Sequence, residues 1–355
     1  MKVVVNMLSK ADSVDGQGVG SAYIEQVNLV KEELKDTFEV RINSKKKADI
    51  MHVHSINPGF YLRFKKKNGI RVMYCHFLPE TLKGSIKLPK PIFSIFCKYV
   101  MSFYKKAEYL VVVNPIFKKD LAKLGVKEDR IIYIPNYVSK DSFYPIEKDK
   151  TLEVRQKYNI DPNKFVVLGC GQVQTRKGVL DFVEVAKNNP NIEFVWCGGF
   201  SFKGITDGYN ELKKVVENPP YPNIKFLGII PRTEMNLMFN MADCLFMPSY
   251  NELFPMSILE AASASKPIVL RDLELYEDIL WDNYLKGTNN EEFSSLIQRL
   301  ENDKEYYDNA CKLSDNISTY YSKENVAKLW NDFYLSIYNK RKEELETKKN
   351  KKKNK

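Results

Sequence analysis

The sequence predicts an α/β protein made of two doubly wound (Rossmann-like) domains, each built on a parallel sheet. Three observations predict this class. Short apolar runs rich in Val, Ile and Phe recur along the 355 residues, and a segment with helical spacing follows each run. The alternation occurs on both sides of a charged link, 139–150, that contains a proline. Apolar residues make up 44% of the chain, which is typical of a globular protein.

The first half contains apolar runs that predict parallel strands, and we assign residues 1–145 to a first domain. The predicted strands are 2–8, 48–54, 70–75, 109–114 and 130–135. A loop with Gly16, Gly18 and Gly20 separates the first strand from a helix predicted at about 21–35. These glycines would let the backbone approach a ligand closely, and a flexible turn is the alternative. The G-x-G-x-x-G dinucleotide pattern with its later acidic residue is absent.

The second half repeats the alternation, and we assign residues 146–325 to a second domain. Its predicted strands are 165–171, 194–199, 224–230, 243–248 and 267–270. Helical patterns fill 291–345, and 326–345 forms the last helix of the prediction. The basic tail, 346–355, is too charged to bury apolar surface, so we expect it to be solvated and unfolded.

Composition limits the classes of protein and of site. No stretch approaches the roughly 18 consecutive apolar residues of a membrane span, and the first residues resemble a core strand rather than a signal peptide. The six cysteines lack C-x-x-C spacing, which indicates buried thiols in a reducing cytosol. The three histidines include His52 and His54, which alternate in one predicted strand and are interpreted mainly as structural. We therefore expect no metal site made of protein side chains.

Charge is distributed unevenly along the chain. Residues 1–150 carry 27 Lys and Arg against 16 Asp and Glu, whereas 151–340 carry 20 against 26. Residues 341–355 carry 8 against 3. The basic half favours an anionic partner, either a membrane surface or a nucleic acid. Because no known RNA- or DNA-binding module is visible and the other half is acidic, we do not expect a nucleic acid.

The segment 84–106 combines aromatic residues with lysines at helical spacing. One interpretation is a core helix with a lysine edge. The other is an interfacial helix whose aromatic rings enter the acyl chains of a membrane while its lysines meet anionic headgroups. In the second interpretation the membrane-facing residues are Phe93, Phe96, Lys98, Phe103, Lys105 and Lys106.

Two glutamates lie in the stretch 248–267, which has the pattern strand, loop, helix, strand. Glu252 is on the predicted loop, and Glu260 is within the predicted helix. Pro255 suits the first turn of that helix, where the free N–H groups of Met256 and Ser257 could hold a phosphate. A carboxylate on the loop and another along the helix could accept hydrogen bonds from sugar hydroxyls. The alternative is a helix-entry charge followed by a solvated helix residue.

Two cations follow the first predicted strand of the second domain. The run C-G-Q-V-Q-T-R-K-G places Arg176 and Lys177 at a helix start, after a loop bounded by glycines. Cations are unfavourable at this end of a helix because they oppose its dipole. The alternative, that the two residues are merely solvated surface cations, is therefore disfavoured. The pattern favours a phosphate-binding loop.

These motifs together resemble those of the retaining glycosyltransferases of family 4, and the likeness spans nearly the whole chain. Glu252-x7-Glu260 with S-I-L-E-A-A resembles the family signature, and the segments 222–231 and 241–249 fit its flanks. The resemblance implies the GT-B architecture, in which two α/β domains face each other across a cleft. It also implies a C-terminal helix that crosses back to the first domain.

The resemblance assigns roles to particular residues. In that family the first glutamate contacts the donor hexose and the second the ribose, which implies Glu252 and Glu260 here. Lys177 matches the diphosphate-binding lysine, but Gln172 stands where the family has arginine, and Arg176 is the alternative source of that charge. The implied catalytic residues are Glu252, His76 and Lys177. The implied donor-binding residues are Gly18, Gly20, Gln172, Arg176, Lys177, Glu252, Phe254, Met256, Ser257 and Glu260.

Within that family the chain most resembles the bacterial diacylglycerol glycosyltransferases, especially those that add a second sugar to monoglucosyl-diacylglycerol. The likeness lies in R-K-G-V-x-D-F-V-x-V-A (176–186) and V-L-R-D-L-x-x-Y (269–276). It implies retaining transfer from UDP-glucose or UDP-galactose to a membrane glycolipid, by an enzyme bound to the cytoplasmic face of the membrane. No cofactor is implied, although Mg²⁺ could accompany the donor.

Three alternatives remain open at this stage. They are a capsule or exopolysaccharide glycosyltransferase, a UDP-sugar 2-epimerase and a basic nucleic-acid-binding protein. The sequence does not decide the donor hexose, the linkage formed or the oligomeric state.

Overall fold

The computed structural model describes residues 2–10, 18–75, 78, 89–200, 208–252 and 254–353. The chain forms two compact units. The first contains Met1–Glu80, Leu88–Tyr137 and Lys323–Lys355, and the second contains Val138–Ser322. The first unit is therefore assembled from both ends of the chain.

The first unit is built on a six-stranded sheet in the order β2-β1-β3-β4-β5-β6. Its strands are β1 (Val3–Leu8), β2 (Phe38–Ile42), β3 (Ile50–Val53), β4 (Ile70–Cys75), β5 (Tyr109–Val112) and β6 (Ile131–Tyr133). Every neighbouring pair is parallel. The strand order turns back at β1, which is the arrangement of a doubly wound sheet. The edge strand β2 was not predicted from the sequence.

The second unit is built on another six-stranded sheet, in the order β12-β11-β10-β7-β8-β9. Its strands are β7 (Val166–Cys170), β8 (Glu193–Cys197), β9 (Ile224–Gly228), β10 (Cys244–Met247), β11 (Ile268–Arg271) and β12 (Leu285–Gly287). All its strand pairs are parallel as well. The strand order reverses between β7 and β10, so ligands are expected at the carboxyl ends of those two strands.

Helices lie between most successive strands, and three helices follow the last strand. They are α1 (Gly18–Glu32), α2 (Pro58–Arg63), α3 (Lys90–Lys106), α4 (Ile116–Lys123), α5 (Lys148–Lys157), α6 (Val179–Asn188), α7 (Tyr209–Glu217), α8 (Met235–Met241), α9 (Met256–Ser263), α10 (Glu274–Leu280), α11 (Asn290–Asn302), α12 (Lys304–Tyr320) and α13 (Lys323–Lys353). The first helix begins at Gly18, earlier than the pattern predicted.

The core of the second unit is aromatic and closely packed. Phe182 of α6 meets Trp196 of β8 edge to face with ring centroids 5.1 Å apart, and it stacks on Phe246 of β10 at 5.8 Å. A Cβ atom on Gly169 would lie 2.3 Å from the Trp196 ring. Glycine is required in β7 at this point because the ring covers the strand directly. The core therefore fixes the end of β7, from which the next loop departs.

The last helix, α13, completes the core of the first unit. Trp330 stacks on Tyr74 of β4 at 5.7 Å. The Tyr334 hydroxyl lies 2.7 Å from His52 Nδ1 and accepts a hydrogen bond from Gln26 Nε2 at 3.1 Å. These residues are buried. The crossing of the C-terminal helix to the first unit is thus as predicted, and His52 is part of this packing.

The expected unfolded tail is helical instead, because α13 continues to Lys353. Its side chains from 342 to 351 are exposed. Extending an existing helix adds a hydrogen bond for each residue fixed, whereas starting one is costly. Glutamates and lysines are good helix formers, and lysines at the carboxyl end suit the helix dipole. The packed part of α13 therefore supports a charged extension that would not fold alone.

Within the described residues, no helix combines the length and apolarity needed to cross a membrane.

Candidate functional site

The loop after β7 lies directly against the end of β10. It ends in a short 3-10 turn, Thr175–Lys177, and Gly178 follows with φ 68°. A Cβ atom at Gly178 would lie 2.3 Å from the carbonyl oxygen of Pro248. Only glycine fits both this backbone conformation and this approach. The close approach brings the cations of one loop beside the carboxylate of the other.

Lys177 and Glu252 form a buried ion pair at this junction. Lys177 Nζ lies 2.5 Å from Glu252 Oε1, and each residue is 8% exposed. Arg176 Nη1 is 4.0 Å from the other carboxylate oxygen. Removing one member of such a pair leaves an uncompensated buried charge, which costs about 3–5 kcal/mol. The two residues that the sequence assigned to the donor are thus held together.

Arg176 is anchored by its neighbours on both loops. Its Nε donates to Gln174 Oε1 at 2.8 Å, and its Nη1 donates to the carbonyl of Asn251 at 3.1 Å. Gln174 Nε2 in turn donates to Gln172 Oε1 at 2.8 Å. Gln172 is therefore linked through Gln174 to the Arg176 guanidinium. This arrangement supports Arg176 as the source of the charge that Gln172 lacks.

Helix α9 begins next to this pair without a capping side chain. Pro255 precedes its first residue, and no side chain caps the amides of the first turn. The Ser257 hydroxyl donates to Met247 Sδ at 3.2 Å, away from the helix end. Phe254 is buried, with its ring 5.3 Å from that of Tyr321. The backbone N–H groups of Met256 and Ser257 can accordingly bind an anion.

Glu260 lies further along α9 and pairs with a residue that the sequence did not identify. Arg232 Nη1 lies 2.6 Å from Glu260 Oε1. Glu260 is 5% exposed, whereas the Arg232 side chain is 39% exposed. Arg232 belongs to no motif, and it lies 28 positions before its partner in the sequence. Only the folded chain brings them together.

The two carboxylates and Lys177 share one electrostatic environment around Cys170, the last residue of β7. Burial raises the pKa of the Cys170 thiol well above its ordinary value. Cys197, Glu260 and Glu252 raise it further, and Lys177 lowers it. Both glutamates therefore lie close to the carboxyl end of β7, where the sheet order reverses.

Arg271 fixes the loop that carries Glu252. Its side chain reaches four groups: the Pro248 carbonyl at 3.0 Å from Nε, the Thr288 carbonyl at 2.9 Å from Nη1, Asp181 at 3.4 Å from Nη2 and the Tyr250 ring centre at 4.0 Å. Arg271 lies in the run V-L-R-D-L-x-x-Y that was singled out for its resemblance. The sequence therefore marked the segment of Arg271 but did not show what the side chain contacts, because its partners lie in distant segments.

Two buried hydroxyls lie on neighbouring segments. Ser249 Oγ and Tyr276 Oη are buried, and no hydrogen bond joins either atom to the described residues. Burial raises the pKa of Tyr276, and the nearby Glu252 carboxylate adds to the effect. Buried hydroxyls usually have a hydrogen-bonding partner, so these two groups offer binding capacity near the ion pair.

The remaining predicted site residues are not among these described contacts. Gly18 and Gly20 are in the first turn of α1, in the first unit. His76 falls outside the described residues. No group of three His, Cys, Asp or Glu side chains suited to a metal ion was found in the described part of the chain.

The interfacial interpretation of α3 is wrong for Phe103. This residue is completely buried, with its ring 5.5 Å from Phe64 and 5.1 Å from Tyr61. Lys106 also turns inward, since its Nζ lies 3.8 Å from the Tyr61 ring centre. The last turns of α3 are core, and a pattern of apolar residues alone does not distinguish a protein core from a membrane.

The first turns of α3 have a different character. Ile92 and Ile95 are 53% and 68% exposed. Phe93 and Phe96 are half-buried, while Lys98 is exposed. The exposed apolar residues of α3 are thus isoleucines rather than the predicted phenylalanines.

Comparison with known proteins agrees with this geometry. The family described as Glycosyl transferases group 1 matches residues 150–317, and Glycosyltransferase Family 4 matches 29–142. The chain is 43% identical over 335 residues to the alpha-galactosylglucosyldiacylglycerol synthase of Streptococcus pneumoniae, covering 94% of this chain and 89% of that protein. It is 28% identical over 317 residues to the processive diacylglycerol alpha-glucosyltransferase of Acholeplasma laidlawii, covering 88% and 92% respectively.

Solved structures show the same fold. Anabaena Alr3699/HepE in complex with UDP-glucose matches with a TM-score of 0.75 at 14% identity, covering 94% of this chain and 100% of that one. Two parallel six-stranded sheets with this topology define a GT-B glycosyltransferase fold. The chain belongs to the family 4 glycosyltransferases, as its motifs predicted.

Proposed function

We propose that this enzyme transfers a hexosyl group from UDP-glucose or UDP-galactose to monoglucosyl-diacylglycerol, with retention at the anomeric carbon. The observation that carries the proposal is the match to the Streptococcus pneumoniae synthase over most of both chains. That relative's name describes a galactosylglucosyl-diacylglycerol product, in which a second sugar is attached to glucosyl-diacylglycerol. The Acholeplasma laidlawii relative is a diacylglycerol glucosyltransferase, which keeps glucose as the other candidate donor sugar.

In this proposal the second unit binds the donor at the end of β7. Arg176, Lys177 and the first amides of α9 hold the diphosphate. Glu252 accepts hydrogen bonds from the hexose, and Glu260 accepts them from the ribose. The diphosphate gives Lys177 a second anionic partner, so the cation remains paired throughout binding. These groups are fixed before the donor arrives, which lets them stabilise developing charge without reorganisation.

The proposed chemistry is a front-face displacement. The bond between the anomeric carbon and the diphosphate oxygen breaks while an acceptor hydroxyl oxygen bonds to the same face of that carbon. The hydroxyl proton passes to the departing phosphate oxygen. Glu252 Oε1 is paired with Lys177 Nζ at 2.5 Å. This pairing suits an orienting role for the carboxylate better than the role of a nucleophile. His76 is proposed to face the reaction centre, and Gly18 and Gly20 to approach the donor phosphates.

The acceptor is tested by offering labelled UDP-glucose and UDP-galactose with diacylglycerol, monoglucosyl-diacylglycerol and a polyprenyl-diphosphate sugar. We expect labelled product from monoglucosyl-diacylglycerol, with an α-linkage in its NMR spectrum when an α-linked donor is used. Transfer only to the polyprenyl-linked sugar would replace this proposal with the polysaccharide alternative. A β-linked product would contradict retention.

The same proposal places the enzyme on the inner face of the membrane. Residues 1–150 carry an excess of Lys and Arg, and the first turns of α3 expose Ile92 and Ile95. Two attractions can therefore act together, one electrostatic and one apolar. Salt weakens the first as the Debye length falls from about 10 Å at 0.1 M to about 3 Å at 1 M. It does not weaken the second.

We expect strong binding to anionic liposomes at low salt and a retained fraction at high salt. Replacing Ile92 and Ile95 by Ser should remove the retained fraction in a flotation assay, because it removes the exposed apolar surface of α3. The matched control is Ile229→Ser, which changes an isoleucine that is 61% exposed in the second unit. Wild-type protein that does not bind at low salt would contradict membrane association, and equal losses in both variants would contradict the role of α3.

A further inference from the structure

The pair formed by Arg232 and Glu260 is a feature that no motif explains. Glu260 is 5% exposed, and its Oε1 lies 2.6 Å from Arg232 Nη1. An ionised carboxylate at this depth requires a charged or hydrogen-bonding partner. Arg232 satisfies that requirement from a different segment, the short turn Arg232–Glu234 after β9. The orientation of Glu260 therefore depends on a residue outside its own helix.

Arg232 is itself held in place. Its guanidinium carbon lies 5.3 Å from the centre of the Phe143 ring, and Phe143 is buried against Phe239. Asn236 of α8 accepts a hydrogen bond from the Tyr144 amide at 3.1 Å, which ties the Phe143 segment to that helix. Arginine stacks well on an aromatic face while its N–H groups bind a carboxylate. The cation is thus supported on one side and directed at Glu260 on the other.

The pair lies in the same cluster of charged residues as Lys177 and Glu252. Glu260 contributes to the electrostatic environment of Cys170, together with Lys177 and Glu252. A carboxylate has about four lone-pair sites, so it can accept hydrogen bonds from more than one partner at a time. A fixed, ionised carboxylate discriminates a diol from its deoxy analogue better than a freely rotating one, because both acceptor oxygens are already aimed.

We propose that Arg232 is a positioning residue that orients Glu260 for recognition of the ribose hydroxyls of the donor. This inference rests on the proposed role of Glu260. It extends that role to specificity: Arg232 determines how strongly the site distinguishes a ribonucleotide from a deoxyribonucleotide. Arg232 acts through Glu260 and does not touch the reacting atoms.

The test measures the affinities of the full-length protein for UDP, 2′,3′-dideoxy-UDP and UMP by calorimetry. Wild-type protein is expected to prefer UDP over the dideoxy analogue by about tenfold or more, the value of a hydrogen bond to a charged group. Glu260→Gln should reduce this preference because it removes the charge. Arg232→Gln should reduce the preference for UDP over the dideoxy analogue to a similar extent, although in the proposal Arg232 does not itself contact the ribose. The double variant should lose no more than either single variant.

The preference of UDP over UMP separates positioning from direct phosphate binding. Arg232→Gln should leave this ratio unchanged, since it reports on the second phosphate. Arg232→Lys keeps the positive charge, so it should retain more of the preference for UDP over the dideoxy analogue than Arg232→Gln does. Arg299→Gln is the matched control, because Arg299 also pairs with a carboxylate, Asp303, and lies 4.0 Å from the centre of an aromatic ring. That control should behave as wild type, and thermal unfolding confirms that each variant is folded.

Each contrary outcome has a distinct meaning. If Glu260→Gln loses the hydroxyl preference and both Arg232 variants keep it, Arg232 has no positioning role and the inference is overturned. If Arg232→Gln lowers only the preference for UDP over UMP, Arg232 is a phosphate ligand and the inference is again overturned. If wild-type protein shows no hydroxyl preference, the ribose role of Glu260 fails, and the inference fails with it.

Discussion

Replacing Lys177 by Ala should reduce glycosyl transfer by at least about 100-fold, the usual cost of removing one preorganised group that stabilises developing negative charge. The ammonium group is buried and lies 2.5 Å from Glu252, so no solvent cation can take its place at the same position. The variant loses charge stabilisation of the leaving diphosphate. It also leaves the Glu252 carboxylate without its closest cation, which weakens the orientation of the hexose.

Initial rates with a labelled UDP-sugar and monoglucosyl-diacylglycerol measure this effect. Lys187→Ala serves as the control, since Lys187 is a half-exposed lysine that pairs with Glu184 on the surface of α6. A rate for Lys177→Ala within a few-fold of the control would remove Lys177 from the donor site. The double variant with Glu252→Ala should lose much less than the product of the two single losses, because the two residues act as a unit.

Replacing Glu252 by Gln should lower turnover by about 100-fold while changing UDP affinity much less, because the hexose and not the nucleotide loses its charged acceptor. The substitution keeps the size of the side chain. It leaves Lys177 buried without its carboxylate, so the unfolding temperature should also fall. Bound donor diphosphate supplies a replacement anion, and UDP should therefore stabilise this variant more than it stabilises the wild-type protein.

Steady-state rates and calorimetric UDP titrations together check this prediction. Glu184→Gln is the matched control, a change of the same chemistry on the exposed face of α6. A parallel loss of UDP affinity and turnover would place Glu252 against the nucleotide rather than the hexose. Unchanged turnover would exclude it from the site.

Much of the fold followed from local patterns. The run at Ile70–Cys75 was predicted with both boundaries correct because a mostly apolar stretch begins directly after the turn-forming pair Asn68-Gly69. The edge strand Phe38–Ile42 was missed because four of its five residues are half-buried or exposed, so apolar and charged side chains alternate only weakly along it. Edge strands are paired on one side only, so their sequences carry a weaker signal.

The sequence pointed to candidate site residues but not to the contacts between them. Glu252 and Lys177 were chosen from separate motifs, yet their ion pair joins positions 75 residues apart. Arg232 belongs to no motif, and only the tertiary fold places it against Glu260. Phe103 shows the converse problem, because the same amphipathic pattern suits a core helix and a membrane helix. Periodicity identifies which face is apolar, and only packing shows what covers it.

The C-terminal position of α13 has a consequence for the order in which this protein folds during synthesis. The segment Val138–Ser322 of the second unit lies between the two terminal parts of the first unit in the sequence, so the first unit lacks Trp330 and Tyr334 until that segment has been translated. At about 5–20 residues per second, that interval lasts on the order of ten seconds or more. Throughout it, Tyr74 and His52 lack the rings that bury them in the finished protein. The sheet that is synthesised first is therefore the one whose core is completed last.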